Sequence, residues 1–317
     1  MPLSLRRGVV SAVLERADGL VRLEVDGLPC VAYPRLTGDV QEGDDVVVNE
    51  QARALALGSG GFDVLHANLT RGLGLRPDAG AHVMKLPYTP VQTAVRHAEE
   101  DGPLAASLDG LPVVLCTLHS QVAPVCAALA GRRVAYVQVP GGALPVSLSD
   151  TVRALKARGL VEVAIAAGAC VDGDVACVTV ASALAWAKAR GVDAAVVSIG
   201  PGIVGTGTRL GHGALAAAEA ANATAALGGR AVLAVRVSEA DARARHLGVS
   251  HHVDAVLSLC LAPVRVSWPA PDVDTSGWRG ACDGLPLSHM GRGPDDDPVF
   301  FEAAYAAGVA AAALLEP

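Results

Sequence analysis

The chain has 317 residues, of which 51% are apolar and 3% aromatic, and its formal net charge is −7 at pH 7. This length can bury one large core or two domains, and the acidic balance excludes general nucleic-acid binding through a basic surface. The longest late apolar run, Ala303–Leu315, is shorter than the roughly 20 residues of a membrane span, so we expect a cytoplasmic protein with neither a nucleic-acid nor a membrane partner.

Residues 1–72 are predicted to form a small β-barrel domain. They contain short apolar runs that are separated by Gly, Pro or Asp, and in several of these runs apolar and polar residues alternate. This pattern is typical of short antiparallel strands. The runs are "GVVSAVLER", "GLVRLEVDG", "PCVAYP", "DDVVVNEQ", "ARALALG" and "FDVLHAN". The segment that follows is predicted to be extended at first and then helical from Pro90, with Thr89 as the N-cap.

Residues 73–317 are predicted to form an α/β domain that ends in a helix. From Leu111 onward, six strand-like runs alternate with helix-like runs, and the strands are apolar throughout. Both features predict a parallel sheet with helices on both faces, which is Rossmann-like but not dinucleotide-binding. The last helix is predicted to begin at Pro298, with Asp297 as its N-cap.

Polar side chains follow most of the predicted strands, whereas the loops at the opposite edge are short and plain. Because ligands bind beyond the carboxyl ends of parallel strands, we expect one shared pocket there. The predicted acid–base residues are His119, His246 and His251. The predicted ligand-binding residues are Gly202, Gly205, Thr206, Gly207, Thr208, Arg209, Arg243, Arg245, Asp150 and His252.

The stretch "IGPGIVGTGTRLGHG", 199–213, contains a G-x-G-x-x-G match. A dinucleotide site is disfavoured, because the next helix cannot begin before about Gly211 and no acidic residue follows at the required distance of about 20 positions. Two interpretations stay open. The loop forms an anion cradle that Arg209 closes, or its glycines let backbones pack closely.

Ser250 is predicted to cap a helix whose first turn holds His251 and His252. Protonated histidine is disfavoured at a helix N-terminus, so both rings should be neutral. A metal site that combines one of them with Asp150, Asp172 or Asp174 is conceivable. Adjacent histidines on a helix point to different faces, however, so the sequence predicts no metal site, and it identifies no cofactor.

The seven cysteines are irregularly spaced, form no CxxC pair and lie partly inside apolar runs. This usage predicts reduced core thiols of a cytosolic protein. Cys170, in a predicted loop, is the one thiol that could be exposed.

Several strings together resemble a bacterial family catalogued as domain of unknown function 3866. They are "YPRLTG", "MKLPYTPVQ", "TLHSQVAPV", "GGALPVSLSDTV", "GPGIVGTGTRLG", "ALGGR" and "RHLGVSHH". The resemblance covers nearly the whole chain and implies a bacterial cytosolic protein of this architecture, without implying a reaction. The string "GACVDGDVACVT" departs from the Phe-containing segment we associate with the family, which weakens a general role for Asp172 or Asp174.

Three functional interpretations compete. The favoured one is an enzyme that acts on a small anionic metabolite, such as a phosphate ester or nucleotide. The alternatives are a binding or sensor protein without chemistry and a structural subunit without a ligand. We also expect a homodimer, because the chain is unusually apolar and two-fold dimers are the commonest assembly.

Overall fold

The computed structural model describes residues 3–56, 60–76, 78–269 and 271–316. The chain divides into two compact units, Met1–Val95 and Arg96–Pro317. This division falls between Val95 and Arg96, whereas the sequence placed the boundary between residues 72 and 73.

The first unit contains a closed five-stranded barrel in the order β1-β2-β3-β5-β4. Its elements are β1 (Leu5–Ala17), β2 (Leu20–Val25), β3 (Leu28–Ala32), α1 (Pro34–Thr37), β4 (Asp45–Asn49), α2 (Gln51–Ala54) and β5 (Asp63–Asn68). Alternate side chains such as Val21, Leu23 and Val25 fill the interior. The predicted barrel is therefore confirmed. The run "ARALALG" is not a strand over its first part, which belongs to α2, and its last two residues lie outside the described ones.

A hairpin, β6 (Val83–Lys85) and β7 (Thr93–Val95), replaces the helix predicted from Pro90. The helix prediction was wrong because the turn residues are bound locally instead. Leu86 and Tyr88 have positive φ, and the Thr89 hydroxyl donates to the Leu86 carbonyl at 2.8 Å. This turn brings the two short strands together, so strand pairing outcompetes the local helix-start signal.

The second unit contains a seven-stranded, all-parallel sheet in the order β11-β10-β9-β12-β8-β13-β16. Its strands are β8 (Pro112–Cys116), β9 (Val134–Val139), β10 (Val163–Ala167), β11 (Val175–Cys177), β12 (Ala194–Ile199), β13 (Arg230–Ala234) and β16 (Arg265–Val266), and β14 (Val237–Ser238) pairs separately with β15 (Gly248–Val249). The six predicted strands are all present. β11 was missed, because its residues precede a strong helical pattern and were assigned to the helix.

Helices cover both faces of this sheet, as predicted. They are α3 (Val122–Ala128), α4 (Asp150–Ala157), α5 (Val180–Ala189), α6 (Ala216–Ala226), α7 (His251–Leu257), α8 (Trp278–Ala281) and α9 (Pro298–Ala312). Helices α3, α4, α8 and α9 share one apolar core, and α5, α6 and α7 share the other. The adjacent strands β9 and β12 therefore lead into helices on opposite faces.

Helix α9 is the core helix of the second unit. With the turn that follows, it spans 18 residues at a mean hydropathy of 1.6, which by length and composition alone would allow a membrane crossing. Half of that window is buried inside the chain, where Phe300 and Phe301 pack under the sheet. Asp297 precedes the helix as predicted, but its carboxylate accepts from Ser238 and from the backbone of Glu239 rather than from its own helix.

All seven cysteines are free thiols, and six of them are buried. This confirms the predicted reduced core residues. Cys170 is fully buried rather than exposed. The segment after β10 folds back so that Val171 bonds the Leu144 carbonyl, which carries the neighbouring thiol into the core.

Candidate functional site

The glycines of the loops after β9 and β12 are needed where the two backbones cross. A Cβ on Gly213 would lie 2.6 Å from the Cα of Gly141, and one on Gly200 would lie 2.9 Å from the Gln138 side chain and closer still to the Ala143 carbonyl. Real Cβ atoms essentially never come this close to other atoms. At these positions the structure therefore agrees with the second interpretation of the glycine-rich stretch, in which glycine permits close backbone packing.

The tip of the β12 loop, 204–212, forms a small hairpin closed on itself. Gly205 and His212 form a bridge, and the Thr206 N–H donates to the Gly211 carbonyl at 2.6 Å. The hydroxyls of Thr206 and Thr208 lie 2.8 Å apart, Gly207 faces open space, and Gly202 takes a positive φ.

Arg209 reaches away from this loop and donates to Ser258 Oγ at 2.7 Å, at the end of α7. These contacts occupy the groups that would hold an anion. Anion binding by this loop stays a prediction. Helix α6 begins only at Ala216, after a short 3-10 turn from Gly213, in keeping with the late helix start that disfavours a dinucleotide site.

Four histidine rings, His212, His246, His251 and His252, pack against one another beside this loop; we call them the histidine cluster. The His212 and His252 rings stack with centroids 3.8 Å apart, and the centroids of His251 and His252 are 4.6 Å apart. His246 lies 5.0 Å from His251 and 4.9 Å from His252. The predicted pocket residues His246, His251 and His252 are therefore neighbours.

Ser250 fixes the position of two of these rings. Its hydroxyl oxygen accepts the His252 backbone N–H at 3.3 Å as the N-cap of α7, as predicted, and it lies 2.7 Å from His246 Nδ1. Burial, reinforced by neighbouring positive charge, lowers the pKa of His246 to about 3 and that of His252 to about 2. The cluster is thus neutral at physiological pH.

A buried arginine borders the cluster. Arg236 is 2% exposed, and its Nη1 lies 3.1 Å from His252 Nδ1. Burial lowers its pKa to about 10, and the nearby guanidinium groups add to this effect. It shares one buried carboxylate, Asp241, with two other arginines: the Nη2–Oδ2 distances are 3.6 Å for Arg236, 2.8 Å for Arg243 and 3.7 Å for Arg292.

The polar atoms of this region are incompletely paired. No described residue bonds His212 Nδ1 or Nε2, although His212 is only 7% exposed. Arg236 Nε, His251 Nε2, His289 Nε2 and Arg292 Nη2 also have no hydrogen-bond partner among the described residues. Buried polar atoms are paired in most native structures, so this concentration of unpaired atoms requires an explanation.

A cleft of about 520 Å³ opens next to the cluster, at the carboxyl ends of β9 and β10. Its walls include Gly141 and Gly168 at the strand ends, and Thr179 and Glu219 at the starts of α5 and α6. His212 lines this cleft and also belongs to the histidine cluster. A ligand in the cleft would therefore contact the cluster through His212.

The family model described as "Protein of unknown function (DUF3866)" matches residues 29–281. The chain belongs to this family. The resemblance stated from the sequence is thereby confirmed, and the match spans parts of both the barrel and the sheet of this DUF3866 protein. No curated protein matches the chain significantly.

The other predicted site residues of this DUF3866 protein lie apart from the cluster or at its rim. Arg243 is bound to Asp241, Arg245 is exposed, and Asp150 pairs with Arg153. Asp174, the alternative metal ligand, instead pairs with Lys156.

His119 is held by a different set of contacts at the same sheet edge. Its Nε2 lies 2.6 Å from Ser149 Oγ, and its Nδ1 lies 3.3 Å from both the Ile199 carbonyl and the Tyr136 hydroxyl. The Ile199 carbonyl can only accept, so Nδ1 of the neutral ring carries the proton and Nε2 accepts from the Ser149 hydroxyl, whose oxygen also accepts the backbone N–H of Val152. His119 therefore braces the loops after β9 and β12.

Sequence reasoning missed four members of the region: His212 as a cluster ring, Arg236, His289 and Arg292. Arg236 stands at the end of an apolar strand run, and His289 and Arg292 lie in the long Pro/Gly loop after the sixth predicted strand, where neither was singled out. His289 lies against Phe300 with ring centroids 3.8 Å apart and is 3.3 Å from Ser120 Oγ. A buried arginine in an apolar run was the one signal that could have been used.

The expectation that adjacent histidines on a helix cannot easily bind one metal stays a prediction, although the structure brings their ligand atoms close together. One ligand atom each from His212, His251 and His252 lies within 4.8 Å of the others. In a helix interior, side chains are directed over the preceding turn and separate by about 100° per residue. His251 and His252 open α7, where no preceding turn constrains them, and His212 approaches from another loop.

Proposed function

We propose that this protein is an enzyme that acts on a small anionic molecule held beside the histidine cluster. One observation carries the proposal: the guanidinium of Arg236 is buried next to neutral imidazoles with an unpaired Nε. A buried charge is costly unless it is paired and fully hydrogen-bonded. An anion would supply that partner.

The local balance of charge supports an anion. Three arginines surround Asp241, and Arg292 also contacts Asp297 at 3.2 Å. Three guanidinium groups against two carboxylates leave an excess of one positive charge. Guanidinium groups bind phosphate and carboxylate with paired hydrogen bonds, so phosphate esters and nucleotides are the favoured substrate class.

The histidines supply the chemistry. A neutral imidazole accepts a proton, and His246 belongs to the cluster that Arg236 borders; we assign it proton transfer. The protein is proposed to work in the cytosol, which the seven free thiols support.

The test compares Arg236→Met with Arg279→Met, which removes an exposed arginine that pairs with Asp295. Calorimetry with phosphate, sulfate and nucleoside monophosphates should show that Arg236→Met binds roughly ten- to a hundred-fold more weakly, because a charge-assisted hydrogen bond is lost, and that Arg279→Met binds nearly as wild type does. Phosphorus NMR of the same ligands with wild-type protein measures turnover. Equal binding by wild type and Arg236→Met contradicts the site, and binding without turnover of any ligand favours a sensor protein instead.

A further inference from the structure

We propose that His212, His251 and His252 form a binding site for a divalent transition metal, and that metal and anion binding there reinforce each other. The metal site stands on the three rings alone, and the reinforcement rests on the proposed function. Three imidazole nitrogens without a thiolate suit zinc, cobalt, nickel or copper. Three protein ligands leave a coordination position open, as in catalytic zinc sites.

The geometry is close to what such a metal needs. The three ligand atoms lie within 4.8 Å of one another. Zinc–imidazole bonds of about 2.0–2.1 Å put tetrahedral ligand nitrogens about 3.4 Å apart, so the rings need to close by roughly 1.4 Å. Because a metal lies in the plane of each ligating ring, His212 and His252 must also rotate out of their stacked arrangement.

Moving the rings of His212 and His251 would break few hydrogen bonds. Among the described residues, neither ring nitrogen of His212 has a hydrogen-bond partner, and the Nε2 of His251 has none either. The buried ring of His212 is therefore an unsatisfied group in contact with the other two rings. Coordination by one nitrogen of His212 and by the Nε2 of His251 would account for two of these three unpaired atoms.

His252 links the metal to Arg236. A guanidinium has no acceptor, so His252 Nδ1 accepts from Arg236 Nη1 and the proton of the neutral ring sits on Nε2. Coordination through Nε2 displaces that proton, and transfer of the proton to Nδ1 through solvent keeps the ring neutral. Nδ1–H can no longer accept from Arg236, which frees the guanidinium for an anion.

The charges around the site also make metal binding and anion binding reinforce each other. A divalent ion adds two positive charges beside Arg236, Arg243 and Arg292, whose ion pairs among the described residues are with Asp241 and Asp297. The metal alone is therefore opposed by these arginines, and an anion offsets that repulsion. By reciprocity, the factor by which sulfate tightens the metal equals the factor by which the metal tightens sulfate.

The first test is metal binding by the full chain after chelator treatment. Calorimetry with Zn²⁺ and visible absorption with Co²⁺ should show one ion per chain, with the absorption of a low-symmetry cobalt–imidazole site. His251→Gln removes a partly exposed ligand and should weaken Zn²⁺ binding at least tenfold, since even loss of a supporting group costs 10- to 100-fold. His82→Gln, at an exposed histidine of the first unit, is the control and should bind as wild type does. Equal affinities for the wild type and His251→Gln overturn the metal site.

The second test titrates sulfate with and without Zn²⁺. We expect sulfate to tighten Zn²⁺ by about 5-fold or more, within the usual range of coupling, and Arg236→Met or Arg236→Lys to reduce that factor while still binding Zn²⁺. Zn²⁺ binding without any effect of sulfate keeps the metal site and overturns the coupling. Sulfate binding that depends on Arg236 in a protein that takes no Zn²⁺ overturns the metal site and leaves the proposed function intact.

Discussion

Replacing Gly213 by alanine should destabilise the second unit and weaken the histidine cluster. Gly213 lies where the loop after β12 crosses the loop after β9, and a Cβ there would sit 2.6 Å from Gly141 Cα. Ordinary Cβ contacts begin at 3.4 Å, so the two backbones must separate by about 0.8 Å at this atom pair, and by more at the Gly141 carbonyl. Both obstructing atoms belong to backbone and cannot rotate away.

The expected cost follows from overpacking. Forcing one extra methyl into a closely packed site costs about 1–3 kcal/mol, which for a unit of this size lowers the melting temperature by roughly 2–12 °C. The displacement also moves His212, the preceding residue in the chain, relative to α7. We therefore expect Zn²⁺ affinity to fall together with stability.

Urea unfolding and thermal melting of Gly213→Ala, with Gly207→Ala as the control, make the comparison. Gly207 lies in the same loop and has no positive φ, and a Cβ added to it would meet no atom within 4 Å. Alanine there should change stability by no more than about 0.5 kcal/mol. If the two variants are equally stable, the close backbone crossing does not exist and glycine is not required at position 213.

Four further predictions concern pH, thiols, packing and assembly. Burial lowers the pKa of His119 to about 4 from its ordinary 6.5, so between these pH values the unfolded chain binds a proton that the folded chain excludes. The free energy of unfolding should therefore fall by up to about 3 kcal/mol as the pH drops from 6.5 to 4. Urea unfolding of His119→Gln should not show this decrease. Under native conditions only the partly exposed Cys260 should react with a thiol reagent, and labelling of a second cysteine at the same rate would contradict the buried positions of the others. Gly308→Ala should lower the melting temperature although alanine favours helix, because the added Cβ would lie 2.5 Å from the Cβ of Ala128 in α3. Gly280→Ala in α8 places its Cβ in open space and should leave the melting temperature unchanged. Equal melting temperatures of the two variants would refute this reasoning. Light scattering should return the mass of a dimer, and a monomer mass at every concentration would refute that expectation.

Local sequence signals predicted the elements of this protein well wherever one signal dominated. Uniformly apolar runs identified the six strands, Gly, Pro and Asp punctuation identified the barrel, and Ser250 identified the start of α7. The hairpin of β6 and β7 and the strand β11 were missed. Each depends on a partner strand elsewhere in the chain, and strand pairing is not visible in a local pattern.

The sequence by itself determined that polar loops would gather at the carboxyl edge of a parallel sheet, because βα units have a fixed direction and hand. Only the tertiary structure decided which of those side chains meet. The strand order places the β12 loop beside α7, so His212 stacks on His252, while His119 is drawn to Ser149 and Arg209 to Ser258. Arg236 acquires its role in the same way: its burial and the approach of Arg292 to the carboxylate of Asp241 arise from packing between distant segments, which no spacing along the chain encodes.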